Sequence, residues 1–444
     1  MGYTCNLKDL MEIKNYIVGY DNPISRTKNK HHVLIINSGK KVIPIDIVNL
    51  YLSKIALNSI ATSARYTSIF TRFFTWLIQH KNIDVSDISK AWLSVTETDL
   101  QSWQIQRAVR RITNQEVKPS NKTIFEDASI VHDLYVWAHA RGYPVRVLPQ
   151  STSYIFDFRN RENELLAYIP SKIRNTISKS EIKVLSKNHQ QGAIRILNKD
   201  QIKMLLEAYA DPVFAFMFIT SLCTGLRPQG VIQIPYIGFG KNSHITPWDQ
   251  MKKTITGSQK DFELTVTEKG SKTRTIKVNV EDWMAISEAY LPLCEGRREK
   301  YRLKNKTYPK VSHYWLDKEG NPITSAKQIS DATTYAKKRM KLNFDCSFYD
   351  ARHWYATMYV LNHLKGNELW REDGYNAAVD EFLRNQLGHE SIITSYKHYV
   401  SIARLYMASQ GGLISEVAKE GGFVSELFTK NDLSFLSKIS NNNN

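Results

Sequence analysis

Apolar residues recur at helical spacing through one long stretch of this chain, and that stretch narrows what much of it can become. Tyr66, Ile69, Phe70, Phe73 and Leu77 mark a single face, with Arg65 and Arg72 off it. Thr96, followed by Asp99 and Leu100, offers another helix start. A longer helix runs from near Ser120 with Ile124, Ala128, Val131, Leu134 and Ala138 turned inward, and Gly142 and Pro144 stop it. Residues 46–145 therefore predict a compact helical domain. Its aromatic stripe predicts core rather than a platform for stacking bases.

The flanks read differently. Residues 31–45 hold two β-prone runs around Ser38 and Gly39, so 1–45 is expected to be an N-terminal extension with a β-hairpin arm. Residues 146–192 have weak periodicity and scattered bases, among them Arg159, Arg161, Lys172, Arg174, Lys179, Lys183 and Lys187. They read as a basic linker, either solvated or lying as a strap along a phosphate backbone. A second domain spans 193–410. Asn198 with Gln201 caps its first helix, 201–210. Segments 262–269 and 273–280 alternate in character and join through Gly270 and Ser271, which predicts a β-hairpin. Helices are expected at 280–291, 325–340, 352–363 and 375–387. Residues 411–444 form a tail whose amphipathic 431–439 either packs on a neighbouring subunit or on its own chain. The class is mostly α with a small antiparallel β-sheet.

Composition enters through charge. The chain has 444 residues, 60 of them basic and 43 acidic, for a formal charge of +17. A surplus of that size attracts polyanions, with nucleic acid foremost. The richest apolar stretch, 213–223, is broken by Thr220 and Ser221 and falls short of the ~20 residues a bilayer span needs. Cys5, Cys223, Cys294 and Cys346 stand far apart, as reduced thiols would in a cytoplasm. A soluble cytoplasmic, nucleoid-associated protein of a prokaryote or phage is expected. No glycine-rich phosphate loop, Gly-x-Ser-x-Gly elbow or His-Glu-x-x-His pair is present, which argues against the enzyme classes built on them.

Four short motifs do occur in one order: Thr224-Gly-Leu-Arg-Pro228, Glu268-Lys-Gly-Ser-Lys272, Tyr349-Asp-Ala-Arg-His353, and Leu387-Gly-His389 followed by Tyr399. Together they resemble the tyrosine recombinase, or phage integrase, family from about residue 194 to 409, with a weaker echo in the helical domain, which stands where the family has its core-binding domain. The resemblance implies a helical domain and a mixed α/β catalytic domain closing as a clamp around double-stranded DNA. It also implies a homo-tetramer on two recombination sites, with accessory DNA-bending proteins as further partners, and no membrane. The catalytic set it implies is Arg227, Lys269, Tyr349, Arg352, His389 and Tyr399.

The residue types suit the chemistry in their own right. Cleaving a phosphodiester requires neutralising charge that grows on the nonbridging oxygens, and guanidinium forks do so without losing their protons. Arg227 and Arg352 fit. A phenol makes a phosphoester that preserves bond energy for rejoining, and Tyr399 is the expected nucleophile, with Tyr396 the competitor. The departing alkoxide needs a proton, from Lys269 or, failing that, Lys272. His389 would hydrogen-bond a nonbridging oxygen, with His353 packed beside the site. This chemistry requires no metal or nucleotide cofactor.

Three departures stand out. Tyr349 occupies the usual histidine position of His-x-x-Arg, as it does in some telomere resolvases. Gly230 replaces a glutamate common three residues after the first arginine, so that whatever the carboxylate supports must be held otherwise. The stretch 365–380 is longer than usual. The reading is thus a site-specific recombinase or integrase working through a 3′-phosphotyrosine. A hairpin-forming telomere resolvase, then a type IB topoisomerase, then a non-catalytic DNA-binding regulator are the alternatives.

Overall fold

The computed structural model describes residues 12–21, 28–37, 42–55, 59–83, 87, 91–156, 172–180, 182–185, 196–255, 258–268, 272–305, 312–364, 376–388, 399–404 and 407. The chain divides into two compact units, Met1–Gln191 and Gly192–Asn444. Described residues are mostly helical, with small antiparallel sheets, as the sequence indicates. Among them no helix is long and apolar enough to cross a membrane.

The first unit opens with strands β1 (Glu12–Asp21), β2 (Lys28–Asn37) and β3 (Val42–Pro44), paired antiparallel in that order. Helices α1 (Asp46–Ile55), α2 (Ile60–Lys81), α3 (Glu97–Thr113) and α4 (Asn121–His139) follow. Local chemistry sets their starts: Ser59 and Ser120 cap α2 and α4, and Thr96 and Asp99 close a reciprocal capping box on α3. The aromatic stripe is core, since Phe70, Phe73, Phe74 and Trp103 are wholly or almost wholly buried together. Helix α4 ends at His139, before Gly142, which takes the left-handed conformation at φ +79°.

Two expectations change here. The described strands within 1–45 are not a free arm: Leu34 and Ile36 of β2 lie in the same core as the helices. The Asn49 amide both accepts from the Leu34 N–H at 2.7 Å and donates to its carbonyl at 2.9 Å, doing for β2 what a further strand would do. Nor is 146–192 a plain linker. It contains a hairpin of β4 (Gln150–Phe156) and β5 (Lys172–Ser178), and Val147 and Ile182 enter the first core. Gln104 donates to the Ile182 carbonyl at 2.6 Å, and Lys179 is paired with Asp133 at 2.8 Å. Arg159, Arg161 and Lys187 lie outside the described residues.

The second unit contains α5 (Lys199–Ala208), α6 (Pro212–Thr224), α7 (Pro228–Ile232), β6 (Pro235–Ile237) and α8 (Trp248–Thr254). The hairpin of β7 (Asp261–Glu268) and β8 (Lys272–Asn279) comes next, then α9 (Val280–Lys304), β9 (Ser312–His313), α10 (Ala326–Arg339), α11 (Tyr349–His363) and α12 (Ala377–Leu387). The Asn198–Gln201 box caps α5, as expected. Helix α9 outruns its predicted end at 291 and continues through Pro292. Proline removes only one ladder bond, while Tyr290, Cys294 and Arg297 anchor both sides of it by burial. Helix α6 is buried nearly all round and forms the spine of the unit. Cys223, Cys294 and Cys346 are buried free thiols. The predicted amphipathic segment 431–439 lies outside the described residues.

Candidate active site

Two left-handed glycines shape the site. Gly225 ends α6 at φ +66° and Gly388 ends α12 at φ +64°. Any larger residue would be strained at either position, and at Gly225 it would also collide. A Cβ on Gly225 would sit 2.7 Å from the Tyr355 ring and 2.8 Å from Leu387 Cδ2, and one on Gly388 would sit 3.1 Å from Arg274 Cδ. The glycines of Thr-Gly-Leu-Arg and Leu-Gly-His thus bring two helix C-termini together.

Arg352, on the first turn of α11, joins those ends. Its Nη1 donates to the Gly225 carbonyl at 2.8 Å and its Nη2 to the Leu387 carbonyl at 2.5 Å. Both carbonyls belong to helix ends, where unpaired acceptors and the helix dipole favour a cation. Burial first, and then the neighbouring Arg227, push the Arg352 pKa down to about 9, still leaving it charged at neutral pH.

Arg227 caps the start of α7 and is partly open to solvent. Its Nη1 donates to Glu268, the last residue of β7, whose other oxygen accepts from Arg274 Nη2 at 2.8 Å. Arg274 also donates to the carbonyl of Gln386 at the end of α12. Burial works against the ionised Glu268 carboxyl, but Arg274, Arg227 and Arg352 outweigh it and hold its pKa below the usual carboxylate value. Gln386 is buried and stitches the same elements, donating to the carbonyls of Thr224 at 3.0 Å and Lys277 at 2.9 Å.

Tyr399 lies in a helical turn and is 3% exposed, in one buried cluster with Tyr355, Leu383, Leu387 and Ile402. Burial raises its pKa, while the charges of Arg352 and Arg227 oppose the rise. The His353 ring centroid lies 6.1 Å from that of Tyr399. Tyr349 begins α11 one turn before Arg352 and is 48% exposed. Of the residues expected from sequence, Arg227, Arg352 and Tyr399 come together. Lys269, His389 and Tyr396 lie outside the described residues. Lys272, the alternative hairpin lysine, is directly opposite Glu268 in the β7–β8 register. Cross-strand partners share a face, so it stands with Glu268 and Arg274.

Sequence reasoning missed Glu268 and Arg274 as members of the cluster. The signal was there in part: the two are Cα-register neighbours of residues one pleat apart on a single face of a predicted hairpin. Among the described residues no group of histidine, cysteine or carboxylate side chains is arranged to hold a metal.

The first unit has its own concave face, about 1250 Å³, lined by Arg65, Arg72, Arg107, Arg110, Arg111 and Lys118 among others. Buried Asp127 fixes two of these cations, with Arg72 at 3.1 Å and Arg107 at 2.9 Å. Arg107 also lies over the Trp103 ring, 4.9 Å from its centroid.

No protein-family model and no curated protein matches the chain. Solved structures similar to it include a lambda integrase dimer bound to a COC' core site, at 14% identity over 80% of this chain and 94% of that one, with a TM-score of 0.43. XerH site-specific recombinase bound to palindromic difH substrate is similar at 14% identity over 80% of each chain, with a TM-score of 0.45. The Tn1549 transposon integrase with transposon right end DNA shares 12% identity over 83% of this chain and 99% of that one, with a TM-score of 0.43. At these levels the chemistry has to be argued from the side chains themselves.

Proposed function

We propose that this chain breaks and rejoins DNA as a tyrosine site-specific recombinase. The observation that carries the reading is the meeting of Arg227, Arg352 and the buried Tyr399, two guanidinium charges acting on one phenol. An isolated buried tyrosine would be inert, and isolated arginines would be solvated. Together they supply a nucleophile and the positive charge that a phosphodiester needs as it passes through a pentavalent transition state.

In the proposed step the Tyr399 oxygen bonds to phosphorus and its proton passes to a water molecule as the bond to the deoxyribose 5′-oxygen breaks. The chain then holds a 3′-phosphotyrosine, and the 5′-oxygen leaves as a hydroxyl after taking a proton from a hairpin lysine. Attack by a 5′-hydroxyl of the partner duplex reverses the step and releases Tyr399. Lys269 is the donor that the motif suggests, and the cross-strand register with Glu268 favours Lys272. His389 would complete the contacts to the nonbridging oxygens, and Tyr349 would donate to the phosphate in place of the customary imidazole. Assembly as a tetramer on two sites belongs to the same proposal. The basic concave face of the first unit supports DNA as the partner.

Incubating the purified chain with a nicked duplex carrying the DNA that flanks its gene tests this. Wild type should form a denaturant-resistant adduct, in EDTA as well as without it, because arginines supply the charge. Tyr399→Phe should form none while binding DNA within about threefold of wild type, since one hydroxyl is lost among many phosphate contacts. An adduct mapping to Tyr396 in that variant would overturn the assignment. Product shape separates strand exchange from hairpin ends and from simple relaxation of supercoils.

A further inference from the structure

Glu268 has no role in the chemistry above, yet it is at the centre of the charge cluster. It is 7% exposed, accepts from Arg227 and Arg274, and is held ionised by three guanidinium groups. The space it fills is kept open. Gly230 lies in α7, one turn beyond Arg227, and a Cβ there would be 3.1 Å from Glu268 Oε1 and 2.9 Å from Leu226 Cδ2. A side chain at 230 would therefore press on the carboxylate oxygen that Arg274 holds and disturb the pairing of the other oxygen with Arg227.

Only the Nη1 corner of Arg227 is engaged by Glu268. Among the described residues its Nε and Nη2 make no protein hydrogen bond, and the side chain is 26% exposed. A guanidinium fixed at one corner keeps its other donors aimed outward, so the fork does not have to be ordered when a phosphate arrives. We propose that Glu268 is a positioning residue, delivering from the tip of the β7–β8 hairpin the carboxylate that orients Arg227 toward the scissile phosphate, in space that Gly230 leaves vacant. The hairpin that carries the lysine candidates is thereby tied to the arginine across the site. This inference rests on the proposed strand-cleavage reading.

The test combines single-turnover adduct formation on the same nicked duplex with DNA affinity. Glu268→Gln should slow adduct formation by about 30-fold or more while leaving the dissociation constant within threefold. Because the residue acts through Arg227, the double variant with Arg227→Ala should be no more than threefold slower than Arg227→Ala alone. Losses that multiply would reduce Glu268 to a packing role and overturn the proposal. Should Glu268→Gln fail to fold, Gly230→Ala retains every charge and suits a helical backbone, yet sets a methyl against Glu268. It should slow the adduct about tenfold, and an unchanged rate would overturn the proposal equally.

A second readout does not depend on activity. In the full chain labelled with ¹³C,¹⁵N-arginine, rotation about the Arg227 Cζ–Nη bonds should be slow in wild type and fast in Glu268→Gln. Wild type that forms no adduct would defeat the cleavage reading alone, and the rotation measurement would then decide on Glu268. Fast rotation in wild type would sink the positioning role.

Discussion

Three guanidinium groups act on one buried carboxylate: Arg227 and Arg274 donate hydrogen bonds to Glu268, and the charge of Arg352 adds to theirs. The arrangement has a measurable cost in acid. Glu268 is held below its usual pKa in the fold, so above about pH 4.5 the carboxylate is ionised in both folded and unfolded chains and its ion pairs stabilise the fold in full. As the pH falls below that value the unfolded chain takes up the proton first, and the advantage shrinks until the folded carboxyl is protonated as well. Urea unfolding of wild type and Glu268→Gln should therefore show a gap that is widest near neutral pH and narrows below pH 4.5. A gap that is constant from pH 7 to 3.5 would mean that the carboxylate is not perturbed by its partners. Gly225 and Gly388 could be picked out because each ends a helix in the left-handed conformation, and Arg227 and Arg352 because they stand in short motifs whose order resembles a known family. Arg274 could not, since its bond to the Gln386 carbonyl spans 112 residues and depends on how α12 docks against β8.

The β7–β8 hairpin is the element where most of the chemistry converges, and its alternation made it legible. Which lysine works at its tip is a question of register that the sequence pattern left open. A substrate whose 5′-bridging oxygen is replaced by sulfur answers it. Its leaving thiolate has a pKa near ~8.5 by analogy with cysteine, against about 15.7 for a water-like alkoxide, so it hardly needs an acid. Lys272→Ala should be crippled on ordinary DNA, by about 100-fold, and largely rescued on the sulfur substrate. Arg227→Ala and Arg352→Ala should stay impaired on both, because their work is at the nonbridging oxygens. Rescue of Lys269→Ala instead would put the acid on the other side of the turn. The β4–β5 hairpin was not legible. Its strands, Gln150–Phe156 and Lys172–Ser178, mix polar and apolar residues with no turn signal to join them. The N-terminal strands were half legible: two β-prone runs around Ser38 and Gly39 indicated β2 and β3 but not β1, nor that Leu34 and Ile36 would enter a helical core, which is decided by tertiary packing.

For the molecule as a whole, the formal charge of +17 finds one structural expression in the basic concave face of the first unit, where Asp127 holds Arg72 and Arg107 in place. Binding to duplex DNA should weaken steeply with salt, with a log-log slope of about −0.9 for each phosphate neutralised. Arg107→Ala and Arg110→Ala, measured together by fluorescence anisotropy from 50 to 300 mM KCl, should flatten that slope by about 1 to 2. A slope unchanged by the pair would remove this face from the interface. The burial of Tyr399 has a different kind of consequence. On the proposed cleavage reading, a phosphoester on Tyr399, a phenol buried in one cluster with Tyr355, Leu383, Leu387 and Ile402, would be sheltered from bulk solvent, so that hydrolysis would compete poorly with a tethered 5′-hydroxyl. The same packing that makes the phenol hard to ionise would then keep a severed strand from becoming a permanent lesion, favouring repair of the break by the enzyme that made it.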